Sequence, residues 1–100
     1  MVTEIASIEI DPDRAGAFEN AVAACVPLFL AARGCRSVAL ARVVEDPAQY
    51  RLLVEWESID DHMVHFRHSP AFQTWRETAG PFFVRSPKVE HLAFGGIQAD

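Results

Sequence analysis

Cysteine and basic charge are both scarce in this chain. Its 100 residues include two cysteines, and nine Lys and Arg stand against fourteen Asp and Glu, for a formal net charge of -5. Cys25 falls in an apolar helix pattern and Cys35 at the start of a strand, with no CxxC or Cys-His spacing around either. Both read as free buried thiols rather than as disulfide partners or metal ligands. The basic residues are scattered, which together with the acidic balance excludes nucleic acid and anionic membrane as partners. No apolar run is long enough to cross a bilayer, and the start MVTEIASIEI lacks the basic head and apolar core of a signal peptide, so the expected location is cytoplasmic. No repeat, linker or low-complexity tract interrupts the chain.

What the chain does have is apolar mass, since half of its residues are hydrophobic. That length and composition suit a single domain over residues 1–100. A chain of this size buries only modestly more than its entropy cost requires, so a second subunit covering apolar surface is expected.

Val2 to Ile10 is rich in β-branched residues and reads as strand one. Asp11-Pro12 supplies a cap and a first-turn proline, and Ala15, Phe18, Val22, Cys25 and Phe29 recur at helical steps. Pro27 should loosen that helix before it stops at Gly34. Cys35–Val44 and Gln49–Trp56 read as strands two and three of a hairpin around Glu45-Asp46-Pro47. Ser58 and Asp61 have capping-box spacing, and Ile59, Met63 and Phe66 continue at helical intervals. Ser69-Pro70 breaks and restarts this pattern as a short third helix that ends at Gly80-Pro81. Lys88 to Phe94 reads as the last strand.

The predicted order is βαββαβ with its second helical segment broken in two. This is an α+β, ferredoxin-like plan with an antiparallel four-stranded sheet. Leu52, Val54 and Trp56 share one face of strand three while Leu53 takes the other; Val38 and Leu40 oppose Ala39 and Ala41; Leu92 and Phe94 oppose Val89. One helix layer covers one face, so the other calls for the same sheet of a second copy, a homodimer.

The densest run of chemistry is LLVEWESIDDHMVHFRHSPAFQTWRETAGPFFVRSPKVEHL, in which Trp56-Glu57-Ser58, Phe66-Arg67-His68-Ser69-Pro70, Phe72, Trp75-Arg76 and Pro87-Lys88-Val89-Glu90-His91 are the specific pieces. Over nearly the whole chain it resembles the antibiotic biosynthesis monooxygenase (ABM) family of dimeric α/β barrels. That family includes cofactor-independent monooxygenases of aromatic polyketides, quinol monooxygenases and haem-degrading proteins, so it does not fix the substrate. Trp56 and Arg76 match the Trp and Arg of the anthrone-oxidising branch, whose pocket Tyr falls on His62 and whose strand Asn falls on Leu52. His62 can replace a phenol in proton transfer, but Leu52 cannot hydrogen-bond. In the haem-degrading relatives a helical His binds iron; Arg76 stands at that position, and their strand-one Asn has no counterpart in Glu4 to Ser7. The resemblance therefore disfavours haem chemistry.

The residues also support the chemistry independently. A deprotonated phenol, hydroquinone or anthrone can give an electron to dioxygen without a bound cofactor, so the protein must supply an apolar pocket, a proton acceptor and a cation for the oxyanion. His62 suits the acceptor role and Arg76 the cation. Trp56, Trp75, Phe72, Phe66 and Met63 can form the walls, with an indole N–H to orient a substrate oxygen and His91 as a secondary candidate. Each also has a plainer reading: Trp56 and Trp75 as core, His62 as a wet helix residue, Arg76 as a partner for a nearby carboxylate, His91 as a structural strand histidine. His62, His65 and His68 recur every three residues, but no carboxylate completes a metal-site spacing and none is assigned. The leading expectation is a homodimeric enzyme acting on a small aromatic substrate and O2. The rival is a non-catalytic module that binds a hydrophobic metabolite in the same pocket.

Overall fold

The computed structural model describes residues 1–94, Ile97 and Ala99. Strand β1 (Val2–Glu9) leads through a short 3-10 turn into helix α1 (Ala15–Leu30); β2 (Cys35–Arg42) and β3 (Gln49–Trp56) form a hairpin; a π-helical turn (Asp61–Phe66) precedes helix α2 (Pro70–Ala79) and strand β4 (Lys88–Leu92). The sheet order is β2-β3-β1-β4, with every neighbouring pair antiparallel. This is the expected βαββαβ ferredoxin-like α+β plan. Among the described residues, no helix is long and apolar enough to cross a membrane.

Element ends differ from the sequence reading by one to four residues. Strand β2 stops at Arg42 rather than Val44, and β4 at Leu92 rather than Phe94. In the hairpin loop, the Asp46 side chain accepts from Ala48 N–H at 3.1 Å and the Asp46 carbonyl accepts from Gln49 N–H at 2.9 Å. Helix α1 carries Pro27 inside it and ends at Leu30, short of Gly34.

Strand parity puts Glu4, Ala6 and Ile8 of β1 and Tyr50, Leu52, Val54 and Trp56 of β3 on the helix-covered face, where all are buried. Phe18, Val22, Cys25 and Phe29 of α1 pack onto them at the same helical spacing the sequence displays. The opposite face carries Ile5 across from Leu53, with Ala39 beside Leu53 and Leu92 across from Thr3. Ile5 and Leu53 are half-buried, and Leu92 is exposed. Among the described residues no helix covers this second face.

The segment after Trp56 departs from the expected α-helix. The Arg67 N–H donates to the His62 carbonyl at 2.9 Å, an i to i+5 bond that widens the turn. The inward residues are therefore Asp61, His62 and Phe66, while Ile59 faces solvent and Met63 is half-buried. Ser58 does cap the segment, accepting from Asp61 N–H at 3.2 Å. Ser69 likewise caps α2, accepting from Phe72 N–H at 3.3 Å, with Pro70 at the first helical position.

Gly34 holds the start of this turn in place. Its φ of +78° lies in the left-handed region, and a Cβ there would meet the Asp61 carboxylate oxygen at 2.1 Å. Its carbonyl accepts from Glu57 N–H at 2.8 Å, and Arg33 Nε stands 3.5 Å from Asp61 Oδ1. Replacing Gly34 with alanine combines left-handed strain with a side-chain collision, and we expect a loss of about 2 kcal/mol or more of folding stability in urea titration. A variant as stable as the parent would show that Asp61 shifts aside at no cost.

Candidate active site

Between α2, the π turn and the helix-facing side of the sheet lies an open cleft of about 1080 Å³. Its inner surface includes Ala6, Ile8 and Leu52 from the sheet, with Phe29, Phe66, Phe72, Trp75 and Phe83 as aromatic walls. Trp75 packs edge-on against Phe29 at 5.1 Å between ring centroids, and Phe72 packs edge-on against Phe66 at 5.7 Å. These contacts fix the wall shape, as aromatic pairs prefer such geometry.

His62 and Arg76 both line this cleft, although one is buried and the other exposed. Arg76 has no ion-pair partner among the described residues; neighbouring Glu77 accepts from Gln73 Nε2 at 3.0 Å instead. Arg67, His68 and Arg85 also line the cleft, and of these Arg85 alone forms an ion pair among the described residues, with Glu9 at 3.3 Å. Met63, Trp56 and His91 do not reach the cleft lining.

At the base of the cleft stands a group the sequence reading missed, the carboxyl of Glu4. It faces inward on β1, is only 5% exposed and lines the cleft. Trp56 Nε1–H donates to its Oε1 at 3.0 Å, and His62 Nε2 lies 3.4 Å from the same oxygen. His62 Nδ1 in turn shares a hydrogen bond with His91 Nε2 at 2.8 Å, and the His62 ring stacks on Trp56 at 5.3 Å and 12°. The indole N–H expected to be free for a substrate is thus committed to Glu4. His91 supports His62 from β4 and does not line the cleft. The signal for Glu4 was present in strand parity, because residue 4 shares its face with Ala6 and Ile8.

Burial sets the protonation of this cluster. Loss of water pushes the Glu4 carboxyl up to about 7, outweighing the Trp56 hydrogen bond and the charge of Arg67. Loss of water likewise pushes His62 down to about 4, helped by His91 and Arg67. Near neutrality His62 is therefore an uncharged imidazole with both ring nitrogens facing partners, while Glu4 is divided between acid and carboxylate. Among the described residues no group of three or more His, Cys, Asp or Glu is placed to hold a metal ion. His65 and His68, spaced to join His62, are exposed while His62 is buried.

Fold and cleft together define a ferredoxin-like α+β protein whose apolar cleft ends on a buried acid–imidazole pair. The chain belongs to the antibiotic biosynthesis monooxygenase family, whose model matches residues 1–78. It is 34% identical over 92 residues, covering 92% of this chain and 97% of the other, to the uncharacterized protein YczJ of Bacillus subtilis (strain 168). A crystal structure from Bordetella bronchiseptica, named for an antibiotic biosynthesis monooxygenase, superposes with a TM-score of 0.90 at 48% identity, covering 93% of this chain and 95% of that one. Rv0793 from Mycobacterium tuberculosis superposes with a TM-score of 0.78 at 26% identity over 98% of both chains.

The two shifted groups act on stability with opposite signs. Glu4, raised from 4.5 to about 7, favours the folded state below pH 4.5, and this contribution is lost as pH rises through 7. His62, lowered from 6.5 to about 4, favours the folded state above pH 6.5, and its contribution is lost as pH falls through 4. Between pH 4.5 and 6.5 the slopes oppose, so stability of the parent should be nearly flat. Glu4→Gln removes the falling limb, and its stability should climb on the order of 3 kcal/mol between pH 4 and 6.5. Parallel parent and variant curves in denaturant titrations across that range would rule out a raised Glu4.

Proposed function

We propose that this chain is a cofactor-independent monooxygenase that oxidises a phenolic, anthrone or quinol-type aromatic molecule with dioxygen, working as one cytoplasmic unit of a homodimer. The observation that carries this reading is the placement of His62 and Arg76 on one aromatic-walled cleft that also reaches the Glu4–His62 pair. Membership of the family and the name of the Bordetella relative support the reaction class.

The reaction needs no redox group from the protein. Removing a proton from an anthrone CH2 or a phenol O–H gives an anion that passes one electron to O2; the resulting pair combines at carbon as a peroxide, which loses water. For an anthrone the balance is anthrone plus O2 to anthraquinone plus H2O, with dioxygen accepting all four electrons of the CH2 to C=O oxidation. The Glu4–His62 pair handles the proton, and Arg76, with no carboxylate partner among the described residues, meets the oxyanion.

A binding module that does no chemistry is the competing reading. Leu52 on the cleft wall favours it, because a leucine offers a substrate no hydrogen bond where the oxidising relatives are expected to place an amide. Oxygen uptake separates the two. With anthrone, uptake above autoxidation is expected from the parent protein, falling about 100- to 1000-fold in Arg76→Ala. Uptake equal to the protein-free control would favour the binding module.

The sheet face without a helix supports the homodimer reading, since Ile5, Leu53 and Ala39 make an apolar centre there among polar neighbours. A charge at its middle should disrupt a sheet-to-sheet contact while leaving the helix-covered core intact. Leu53→Glu is expected to sediment as a monomer under conditions where the parent sediments as a dimer. A dimeric variant would place the contact elsewhere.

A further inference from the structure

We propose that Glu4 is the catalytic proton acceptor of this cleft, and that His62 is its positioning residue rather than the base. The inference deepens the aromatic-oxidation reading and rests on it. Three observations carry it.

The first is which carboxyl oxygen is free. Trp56 Nε1–H and the His62 Nε2 contact both fall on Oε1, and no described residue hydrogen-bonds Oε2. No buried side-chain oxygen or nitrogen among the described residues lacks a partner, so Oε2 is not sealed in the core. Glu4 belongs to the cleft lining, which leaves Oε2 as the carboxyl oxygen available to a substrate there. The second is that His62 is engaged at Nδ1 by a hydrogen bond and held at Nε2 beside Glu4 rather than toward open space. Its Nδ1 is tied to His91 at 2.8 Å and its Nε2 faces Glu4, so accepting a substrate proton would break an existing contact. The third is rigidity, since Trp56 both stacks on His62 and donates to Glu4, and Trp56 is itself completely buried. An acceptor held this firmly is aimed before substrate arrives.

The groups facing Glu4 are Trp56 from β3, Cys35 from β2, His62 from the π turn, His91 from β4 and Arg67 beyond that turn. Arg67 is the one permanent cation among them. In the step itself, Oε2 takes the proton of the substrate O–H or C–H, leaving a neutral carboxylic acid and a substrate anion. The same proton returns to the peroxide when water is lost.

Two measurements test this. In infrared difference spectra the Glu4 carboxyl bands, identified by their loss in Glu4→Gln, should shift when naphthol binds to the parent protein, with binding followed by tryptophan fluorescence. Naphthol that fails to bind, or binds without moving those bands, overturns the proposal. In anthrone oxidation, Glu4→Gln should lower kcat/KM by about 100- to 10,000-fold and abolish its rise with pH, whereas His62→Ala should keep the rise at a displaced midpoint. Loss of the rise in His62→Ala with its retention in Glu4→Gln would return the base to His62. Oxygen uptake with unmoved Glu4 bands would sink the Glu4 assignment alone, whereas moved bands without uptake would sink the oxidation reading and the catalytic role of Glu4 with it, leaving Glu4 as an acid that contacts the bound ligand.

Discussion

A carboxyl group placed on the covered side of a sheet cannot stay ionised without help, since moving a charge out of water costs several kcal/mol. Glu4 sits in that position, across from Val54 of β3 and His91 of β4 on the face packed by the helices. The fold answers with one indole N–H, one nearby imidazole and a preference for the protonated acid. Trp56 is held at the end of β3 partly by this bond, and His62 is held by its stack on Trp56 and by His91. One buried acid thus ties together β1, β3, β4 and the π turn.

The π turn makes that closure geometrically available. An ordinary helix continuing from Ile59 through Met63 to Phe66 would turn those residues inward, whereas the wider turn buries Asp61, His62 and Phe66. Gly34 and Asp61 pin its start, where only a residue without a Cβ leaves room for the carboxylate. Ser69 then closes the far end, donating its hydroxyl to the Phe66 carbonyl at 2.6 Å while capping α2. The chain between two strands is therefore fixed at both ends, which gives the cleft a firm wall without any covalent link.

Charge and polarity are divided across the molecule in a way that suits a small organic ligand. The inner cleft is apolar and aromatic, Arg67 and Arg76 lie exposed along it, and the protonatable acid lies at its base. The far side of the sheet has the opposite character, an apolar centre in a polar surround that no helix covers among the described residues. The two faces of one sheet thus serve different purposes in the proposed enzyme, one holding the substrate and the other the second copy.

Strand and helix order were legible in the sequence because they rest on local periodicity: alternation in Val2–Glu9 and Gln49–Trp56, three- and four-residue steps from Phe18 to Phe29, and caps at Ser58 and Ser69. The aromatic walls Phe66, Phe72 and Trp75 were legible for the same reason. Tertiary structure alone decided the roles of the polar groups. Whether Trp56 offers its N–H to a ligand or spends it on Glu4 depends on a residue 52 positions away in sequence, and whether His62 is wet or buried depends on how a turn is wound. Hydrogen-bond partners and the dielectric around an ionisable group are set by what the fold brings beside it, and neither is written in the spacing of neighbouring residues.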